Sequence, residues 1–297
     1  MGLRSERLKV LKRRIRSGWF IYKQNKAGLL GIGLVGFFVF IAVFAPFIAP
    51  YDPYKRVDKY FLPPSSAHIL GTNDLGQDIF SELIYGARVS LLVGFLASFS
   101  VVSVGTMIGL IAGYYGGVVD EILMRLCDII LVLPGIPLMI LLAALLGRNQ
   151  FHVLILAITL TSWPGVSRLI RSVTLSLKNR PFVEAARAIG AGDTYIMLKH
   201  ILPNTLPLIL SSAIYQTAGA MMSEASLSFL GLGDPSQKSW GMMLHYAQTA
   251  GGWWANMGYP AWWWIIPPGL CIALVVLGLM LIGQALEEVI NPRLRRR

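Results

Sequence analysis

The sequence predicts an all-α integral membrane protein with six transmembrane helices, from its composition, its apolar blocks and the placement of its charges. Hydrophobic residues make up 55% of the 297 residues and charged residues only 14%, which is too little charge for the surface of a soluble domain. The apolar residues also form long uninterrupted blocks instead of recurring at helix or strand spacing. A lipid bilayer is therefore the expected environment of the chain.

Six blocks are long enough to cross the hydrocarbon core, which takes about 20 apolar residues in a helix. Unpaired backbone groups are costly in lipid, so we expect helices and not strands in all six blocks. The third block contains Pro134 and Pro137, which should kink the helix or end its regular hydrogen bonding. The blocks lie at residues 28–49, 89–112, 122–146, 151–170, 206–230 and 263–284.

The charges orient these spans. Nine of the 26 Lys and Arg residues lie in the first 27 positions, and the loop at 171–204 contains five more. The segment at 51–87 has three against five acids, and the loop at 231–262 has only Lys238. By the positive-inside rule, both termini and the 171–204 loop are cytoplasmic. The net charge of +11 thus indicates contact with membrane lipid and not nucleic-acid binding.

The sequence contains none of the common catalytic or metal-binding motifs. It has no G-x-x-x-x-G-K-[ST] phosphate loop, no H-E-x-x-H, no paired Cys-x-x-Cys and no G-x-S-x-G, so neither nucleotide binding nor hydrolysis is expected here. Cys127 and Cys271 lie in separate apolar stretches, which predicts neither a disulfide framework nor a metal site. We therefore expect a protein that is not an enzyme and holds no cofactor of its own.

Ionisable residues inside spans are costly and are candidates for function. Asp120, Glu121, Arg125 and Asp128 open the third block, at spacings that allow ion pairs within one helix. A structural cluster of this kind is favoured over a proton relay. Glu224 stands alone in the fifth block, where it either forms hydrogen bonds between helices or lines a substrate route.

Four glycines are spaced four residues apart along the second block and just after it. Gly105, Gly109, Gly113 and Gly117 would form a ridge on one helix face, against which another helix backbone can pack closely. We interpret this ridge as a packing surface.

The loop at 171–204 is longer than a connection between two spans requires. Pro181 suits the first turn of a helix that continues to Ile189, and Gly190 can end it with a positive φ. Asp193 is placed to cap a second helix, residues 194–200. The pair Leu202–Pro203 should then break that helix before the fifth span.

The first loop helix exposes mostly small side chains. Ala185 and Ala186 make it thin, while Glu184 and Arg187 could fix its register in a groove of another protein. The alternative is an amphipathic helix that lies on the lipid surface. These residues alone leave both interpretations open.

The run E-A-A-R-A-I-G at 184–190, followed by Leu202–Pro203, resembles the E-A-A loop of permease subunits in ATP-binding-cassette (ABC) importers. In that family the helix docks in a cleft of the ATPase subunit. The resemblance therefore implies an ATPase-coupling site. Its residues are Glu184, Ala185, Ala186, Gly190, Leu202 and Pro203, with Arg187 beside them.

Other runs resemble the C-type permease subunit of dipeptide, oligopeptide and nickel importers. They are L-G-T-N-D-L-G-Q-D at 70–78, L-I-Y-G-A-R-V-S-L at 83–91, L-S-F-L-G-L-G at 227–233, S-W-G-M-M-L at 239–244 and N-P-R-L-R at 291–295. The chain departs from the family at Gln77, where arginine is frequent, and at residues 234–237, where Pro-Pro is frequent. Both departures bear on the outer face and not on the coupling loop.

The resemblance implies the type I ABC importer permease fold. Residues 1–87 would form the basic tail, an N-terminal anchor helix and an outer segment, and residues 88–297 a five-helix core. The implied partners are a homologous second permease subunit, two ATPase subunits that bind ATP and magnesium, and an extracytoplasmic substrate-binding protein, all at a prokaryotic inner membrane.

The implied function is half of the translocation pathway in an ATP-driven importer of di- or oligopeptides. The same subunit type also serves nickel chelates or oligosaccharides, which remain alternatives. A stand-alone ion-coupled carrier is a different class, and such carriers usually show internal repeats with matching broken helices. We find no convincing internal repeat in the sequence.

Overall fold

A computed structural model describes residues 20, 22–147, 150–251 and 261–290 of the chain. The basic stretch at 1–19 and the N-P-R-L-R run lie outside the described residues. Ten α-helices and one π-helical turn make up the regular structure of the described part. They are α1 (Lys26–Ile48), α2 (Ile79–Tyr115), α3 (Gly117–Val132), α4 (Gly135–Leu146), α5 (Phe151–Lys178), α6 (Pro181–Ala188), α7 (Asp193–Ile196), the π turn (Met197–Ile201), α8 (Leu202–Phe229), α9 (Trp240–Thr249) and α10 (Trp262–Ile290).

Four of these helices are long and apolar enough to cross a membrane, namely α1, α2, α5 and α10. The bent pair α3–α4 would be a fifth span if the two helices are counted as one. The fifth predicted span, at 206–230, forms α8, which has 28 residues and contains the polar residues Ser211, Ser212, Gln216, Thr217 and Glu224. The all-helical prediction is confirmed, whereas the count of six is not confirmed by length and apolarity.

The third predicted span is broken where the prolines lie. Helix α3 ends at Val132 and α4 begins at Gly135, with Leu133 and Pro134 in extended conformation between them. The two helices are bent by 97°. Proline removes a backbone donor and its ring clashes with the preceding turn, so the predicted interruption is confirmed.

Helix α2 lies at the centre of the bundle, where it packs against α1, α5 and α8. The glycine ridge faces α5: a methyl group on Gly109 would lie 2.5 Å from the Ser167 carbonyl oxygen, and one on Gly105 would lie 2.7 Å from the Val166 Cβ atom. The packing interpretation is therefore confirmed for Gly105, Gly109 and Gly113. Gly117 is an exception, since it belongs to α3 and a methyl group added there would meet no packing neighbour among the described residues within 4 Å.

The acidic residues of α3 do not pair within their own helix. Asp120 forms an ion pair with Arg171, and Asp128 forms one with Arg168, both on α5. The spacing allowed Arg125 to pair with Glu121 or with Asp128, but Asp128 pairs with Arg168 instead. The two helices lie side by side, and an arginine side chain is long enough to reach an acid across that contact. Both acids thus form ion pairs between helices, and the preference for a structural cluster over a proton relay stays a prediction.

Candidate coupling loop and buried polar clusters

The loop between α5 and α8 lies at one end of the bundle, which we call the loop end; the other is the far end. Helix α6 begins at Pro181 and ends at Ala188, and Gly190 follows with φ +84°. The Gly190 amide donates to the Arg187 carbonyl (3.0 Å), and the Ala191 amide donates to the Ala186 carbonyl (3.1 Å). These bonds satisfy carbonyl groups at the helix end. The predicted first helix and its glycine terminus are confirmed.

The second loop helix differs from the prediction in how it begins and ends. Asp193 forms no capping hydrogen bond and lies inside α7, whose N-cap is Gly192. Leu202–Pro203 does not break the helix, because the π turn runs directly into α8. A π turn widens the helix just before Pro203, where the proline ring would otherwise meet the carbonyl of the preceding turn. The loop is therefore continuous with the span that follows it.

The faces of α6 separate the predicted site residues. Val183 and Ala186 are buried against the chain itself, so Ala186 supports the helix from within. Glu184, Ala185 and Arg187 are exposed. Together they form an outward surface of one acid, one base and a small side chain, suitable for contact with a partner.

The sequence analysis missed two features of the loop. Ile189 is 86% exposed, which gives the tip of the loop a large apolar side chain. The signal that could have revealed this exposure is an isoleucine just before the glycine that ends the helix. Tyr114, at the end of α2, donates from its hydroxyl to the Asp193 carboxylate (2.7 Å). The two residues are 79 positions apart, so no local pattern indicates their contact.

Basic side chains surround the Tyr114 ring. The Lys178 Nζ atom lies 5.8 Å and the Arg187 Cζ atom 6.0 Å from its centroid. A hydrogen bond to the Tyr114 hydroxyl, more than any other cause, raises the pKa of the Arg187 guanidinium. Tyr114 thus joins the end of α2 to both halves of the loop.

Glu224 is fully buried between α8 and α2. Its carboxylate accepts a hydrogen bond from the Ser228 hydroxyl (2.7 Å), and the Ser90 hydroxyl of α2 lies 3.5 Å away. The cavity beside it has a volume of about 10 Å³, barely enough for one water molecule. In this conformation Glu224 therefore takes part in hydrogen bonding between helices, and its role on a substrate route stays a prediction.

The far end contains a buried cluster centred on Lys238, which sequence reasoning did not predict. Its ammonium group donates to the Glu82 carboxylate (2.6 Å) and to the Gln77 side-chain oxygen (2.8 Å). Asn73 donates to the same Glu82 oxygen (3.0 Å). The rings of Tyr54 and Tyr246 lie 5.9 and 5.7 Å from the ammonium group. This cluster joins the 50–78 segment to α2, to α9 and to the segment that holds Lys238.

The departure from the family at Gln77 has a structural role in this cluster. The Gln77 oxygen accepts from Lys238, whereas an arginine at this position would place a second positive charge there. Asp74 lies nearby: burial raises the pKa of its carboxyl group, and the charge of Lys238 opposes that shift. The cluster therefore pairs one buried cation with amide and carboxylate oxygens.

A second polar cluster fixes the 50–78 segment to the start of α2. The buried His68 ring places Nδ1 2.9 Å from the Asp78 carboxylate and Nε2 3.6 Å from the Asp58 carboxylate. The other Asp78 oxygen accepts from the Ser81 amide (2.8 Å), which caps α2. No group of three His, Cys, Asp or Glu residues in the described part is arranged to hold a metal ion. We interpret this cluster as structural.

The described chain is a bundle of apolar helices with a short helix at one end, as expected for a membrane transport subunit. The chain belongs to the family described as binding-protein-dependent transport system inner membrane component, which matches residues 105–296. Residues 14–64 match the N-terminal transmembrane domain of oligopeptide transport permease C.

Three relatives illustrate the range of this family. The dipeptide transport system permease protein DppC of Bacillus subtilis is 34% identical to this chain, covering 95% of the chain and 86% of the relative. The oligopeptide permease OppC of the same organism is 35% identical (93% and 88%). The glutathione permease GsiD of Escherichia coli is 38% identical (93% and 90%). The chain is thus similar to permease subunits over nearly its whole length.

A solved structure supports the fold. The methionine ABC transporter MetNI, in an inward-facing conformation, contains a chain that aligns with a TM-score of 0.53 and 20% identity, covering 72% of this chain and 97% of that one. This likeness concerns the fold alone.

Proposed function

We propose that this chain is the C-type permease subunit of a binding-protein-dependent ABC importer for small peptides. The observation that carries the proposal is the projecting helix α6, which is anchored by Val183 and Ala186 and turns Glu184, Ala185 and Arg187 outward. A separate ATPase subunit would accept this surface in a cleft. Two such subunits would bind ATP and magnesium, since the chain itself has no phosphate loop.

The substrate class rests on the relatives, whose names concern dipeptides, oligopeptides and glutathione. A homologous second permease subunit would complete the pathway, and an extracytoplasmic binding protein would deliver the peptide at the far end. The loop end would be cytoplasmic, in agreement with the positive-inside distribution of Lys and Arg. Nickel chelates and oligosaccharides are less well supported, because none of the three relatives carries such a name.

The test is a charge reversal on the proposed docking surface. Glu184→Lys should abolish ATP-driven uptake of a labelled dipeptide in proteoliposomes, because a cleft that accepts an acid would meet a base. Insertion into the membrane should stay intact. Thr194→Lys is the matched control, since it introduces the same basic side chain at an exposed position of the same loop but not on α6.

The readouts are uptake and the amount of ATPase subunit that copurifies with the chain in mild detergent. If Glu184→Lys retained both normal uptake and normal ATPase copurification, the docking assignment would be wrong. A chain that purifies without any ATPase subunit, even as the wild type, would instead support a stand-alone carrier.

A further inference from the structure

Helices α1, α2, α8 and α10 enclose a groove on the side of the bundle, with a volume of about 860 Å³. Its walls are almost entirely apolar, and Arg88 is the one charged residue among those described residues that line it. A groove of this size falls in the range of sites that hold small organic ligands. Its charge and its shape therefore call for an occupant with an anionic head and an apolar body.

The groove runs along the helix axes, with its charge at one end. Tyr51, which follows α1, donates from its amide to the Ser81 hydroxyl of α2, so α1 and α2 meet at the far end and run in opposite directions. The first and last lining residues of each helix are seven or eight positions apart, or about 10–12 Å at 1.5 Å per residue. Those nearest the far end include Val43, Arg88 and Thr217, and those nearest the loop end include Val35, Phe95 and Leu210.

Arg88 is exposed and forms no hydrogen bond or ion pair within the described part of the chain. Its one described contact is with the Tyr85 ring, whose centroid lies 6.0 Å from the guanidinium carbon. An uncompensated charge inside a span is costly. Guanidinium binds phosphate through two parallel hydrogen bonds. Arg88 therefore has the chemistry of a phosphate-binding residue without a bound partner in the described chain.

With α2 centred in a bilayer, its length would bring Arg88 to the boundary between hydrocarbon and lipid headgroups. Its 37 residues extend over about 55 Å, against about 30 Å of hydrocarbon, so a centred helix projects about 12 Å at each end. Arg88 is nine residues, or about 13 Å, from the start of α2. Its side chain can thus extend toward the interface as membrane arginines do.

We propose that the groove binds one membrane phospholipid, with the phosphate on Arg88 and an acyl chain between α1, α2 and α8. The apolar lining favours a hydrocarbon chain over a peptide, whose backbone groups would have almost no partners along these walls. The groove touches α8, which is continuous with the candidate coupling loop. The bound lipid would therefore contact the helix that follows that loop. This proposal is independent of the proposed function.

The test measures retained lipid on the full chain, purified with its accompanying subunits in micelles that contain equal parts phosphatidylglycerol and phosphatidylcholine. After a detergent wash, native mass spectrometry should detect one bound phospholipid per chain. Arg88→Leu should weaken the affinity for this lipid about five-fold, the effect of losing roughly 1 kcal/mol, and so lower its occupancy after the wash. Arg88→Lys should retain an intermediate amount. Leu92→Trp should also lower it, because Leu92 is an exposed lining residue whose enlargement fills the groove.

Arg125→Leu is the matched control, since Arg125 is an exposed arginine on α3 outside the groove. Its lipid occupancy should equal that of the wild type. Equal losses of bound lipid in Arg88→Leu and Arg125→Leu would overturn the proposal, because they would indicate a general effect of positive charge on lipid binding. Unchanged lipid in Arg88→Leu, with loss of an accompanying subunit or of peptide uptake, would overturn it too and would assign Arg88 to a protein or peptide carboxylate.

Discussion

Single buried charges in this protein depend on partners that lie far away in the chain. Lys238 is 156 positions from Glu82, yet their charged atoms lie 2.6 Å apart and both side chains are almost fully buried. Burial of an ion costs several kcal/mol, which only its partners can offset. Removal of either member should therefore cost more than removal of both.

Lys238→Met should lower the free energy of unfolding by about 3–5 kcal/mol, because it leaves the Glu82 carboxylate buried without its counter-charge. The measurement is thermal unfolding in detergent micelles, followed by intrinsic fluorescence. Methionine approximates the length of the lysine side chain, so a packing defect contributes little.

The control for this prediction is the double variant Lys238→Met/Glu82→Gln, which neutralises the pair. It should unfold at a higher temperature than Lys238→Met alone. Equal unfolding temperatures for the two variants would mean that the ion pair does not determine the stability of this end.

At the scale of elements, the contact between α2 and α5 depends on the absence of side chains. Gly109→Ala should lower the free energy of unfolding by about 1–3 kcal/mol, because the added methyl would lie 2.5 Å from a backbone oxygen of α5 and the helices must separate. Gly165→Ala is the matched change on α5, where the added methyl would meet no packing neighbour among the described residues within 4 Å. That control should leave the free energy of unfolding unchanged or raise it slightly. An unchanged free energy of unfolding in Gly109→Ala would refute close packing of the two helices.

The turn between the two loop helices has a comparable internal control. Gly190 has φ +84°, a conformation that costs a branched residue roughly 1–2 kcal/mol, whereas Gly192 has φ −70°. Gly190→Val should therefore abolish ATP-driven uptake without preventing membrane insertion, and Gly192→Val should retain uptake. The assay is dipeptide uptake in proteoliposomes, and equal uptake by the two variants would show that the turn geometry is not required.

Local signals explain why some of these elements could be predicted. Pro134 broke a helix, Pro181 began one and Gly190 ended one, because each acts on its own backbone within a turn. The capping role predicted for Asp193 was wrong because the helix begins one residue earlier than expected, with Gly192 as its N-cap. The Asp193 carboxylate instead accepts a hydrogen bond from Tyr114 of another helix. Contacts between residues so far apart produce no recognisable pattern in the sequence, and the same holds for Lys238 with Glu82. The run at 184–190 indicated the candidate site, but not that Ala186 faces inward.

In the molecule as a whole, two connections join the second half of the loop to the bundle. The π turn makes it continuous with α8, and the Tyr114 hydroxyl joins Asp193 to the end of α2. Because α2 packs against α1, α5 and α8, a displacement of the loop would act on most of the bundle. If an ATPase moves this loop, the efficiency of transport should depend on both connections.

Tyr114→Phe removes the second connection while it preserves the ring that Arg187 and Lys178 face. A hydrogen bond to a charged group contributes about 1.5–3 kcal/mol, so a weakened loop contact should lower the number of peptides imported per ATP by about two- to ten-fold. ATP hydrolysis and subunit copurification should continue, since the residues of α6 are unchanged and Arg187 loses only its hydrogen bond to the Tyr114 hydroxyl. Tyr115→Phe is the control because Tyr115 is 48% exposed on the same helix. Equal ratios of uptake to hydrolysis in both variants would show that the Tyr114 hydroxyl is not needed to pass force from the loop to the spans.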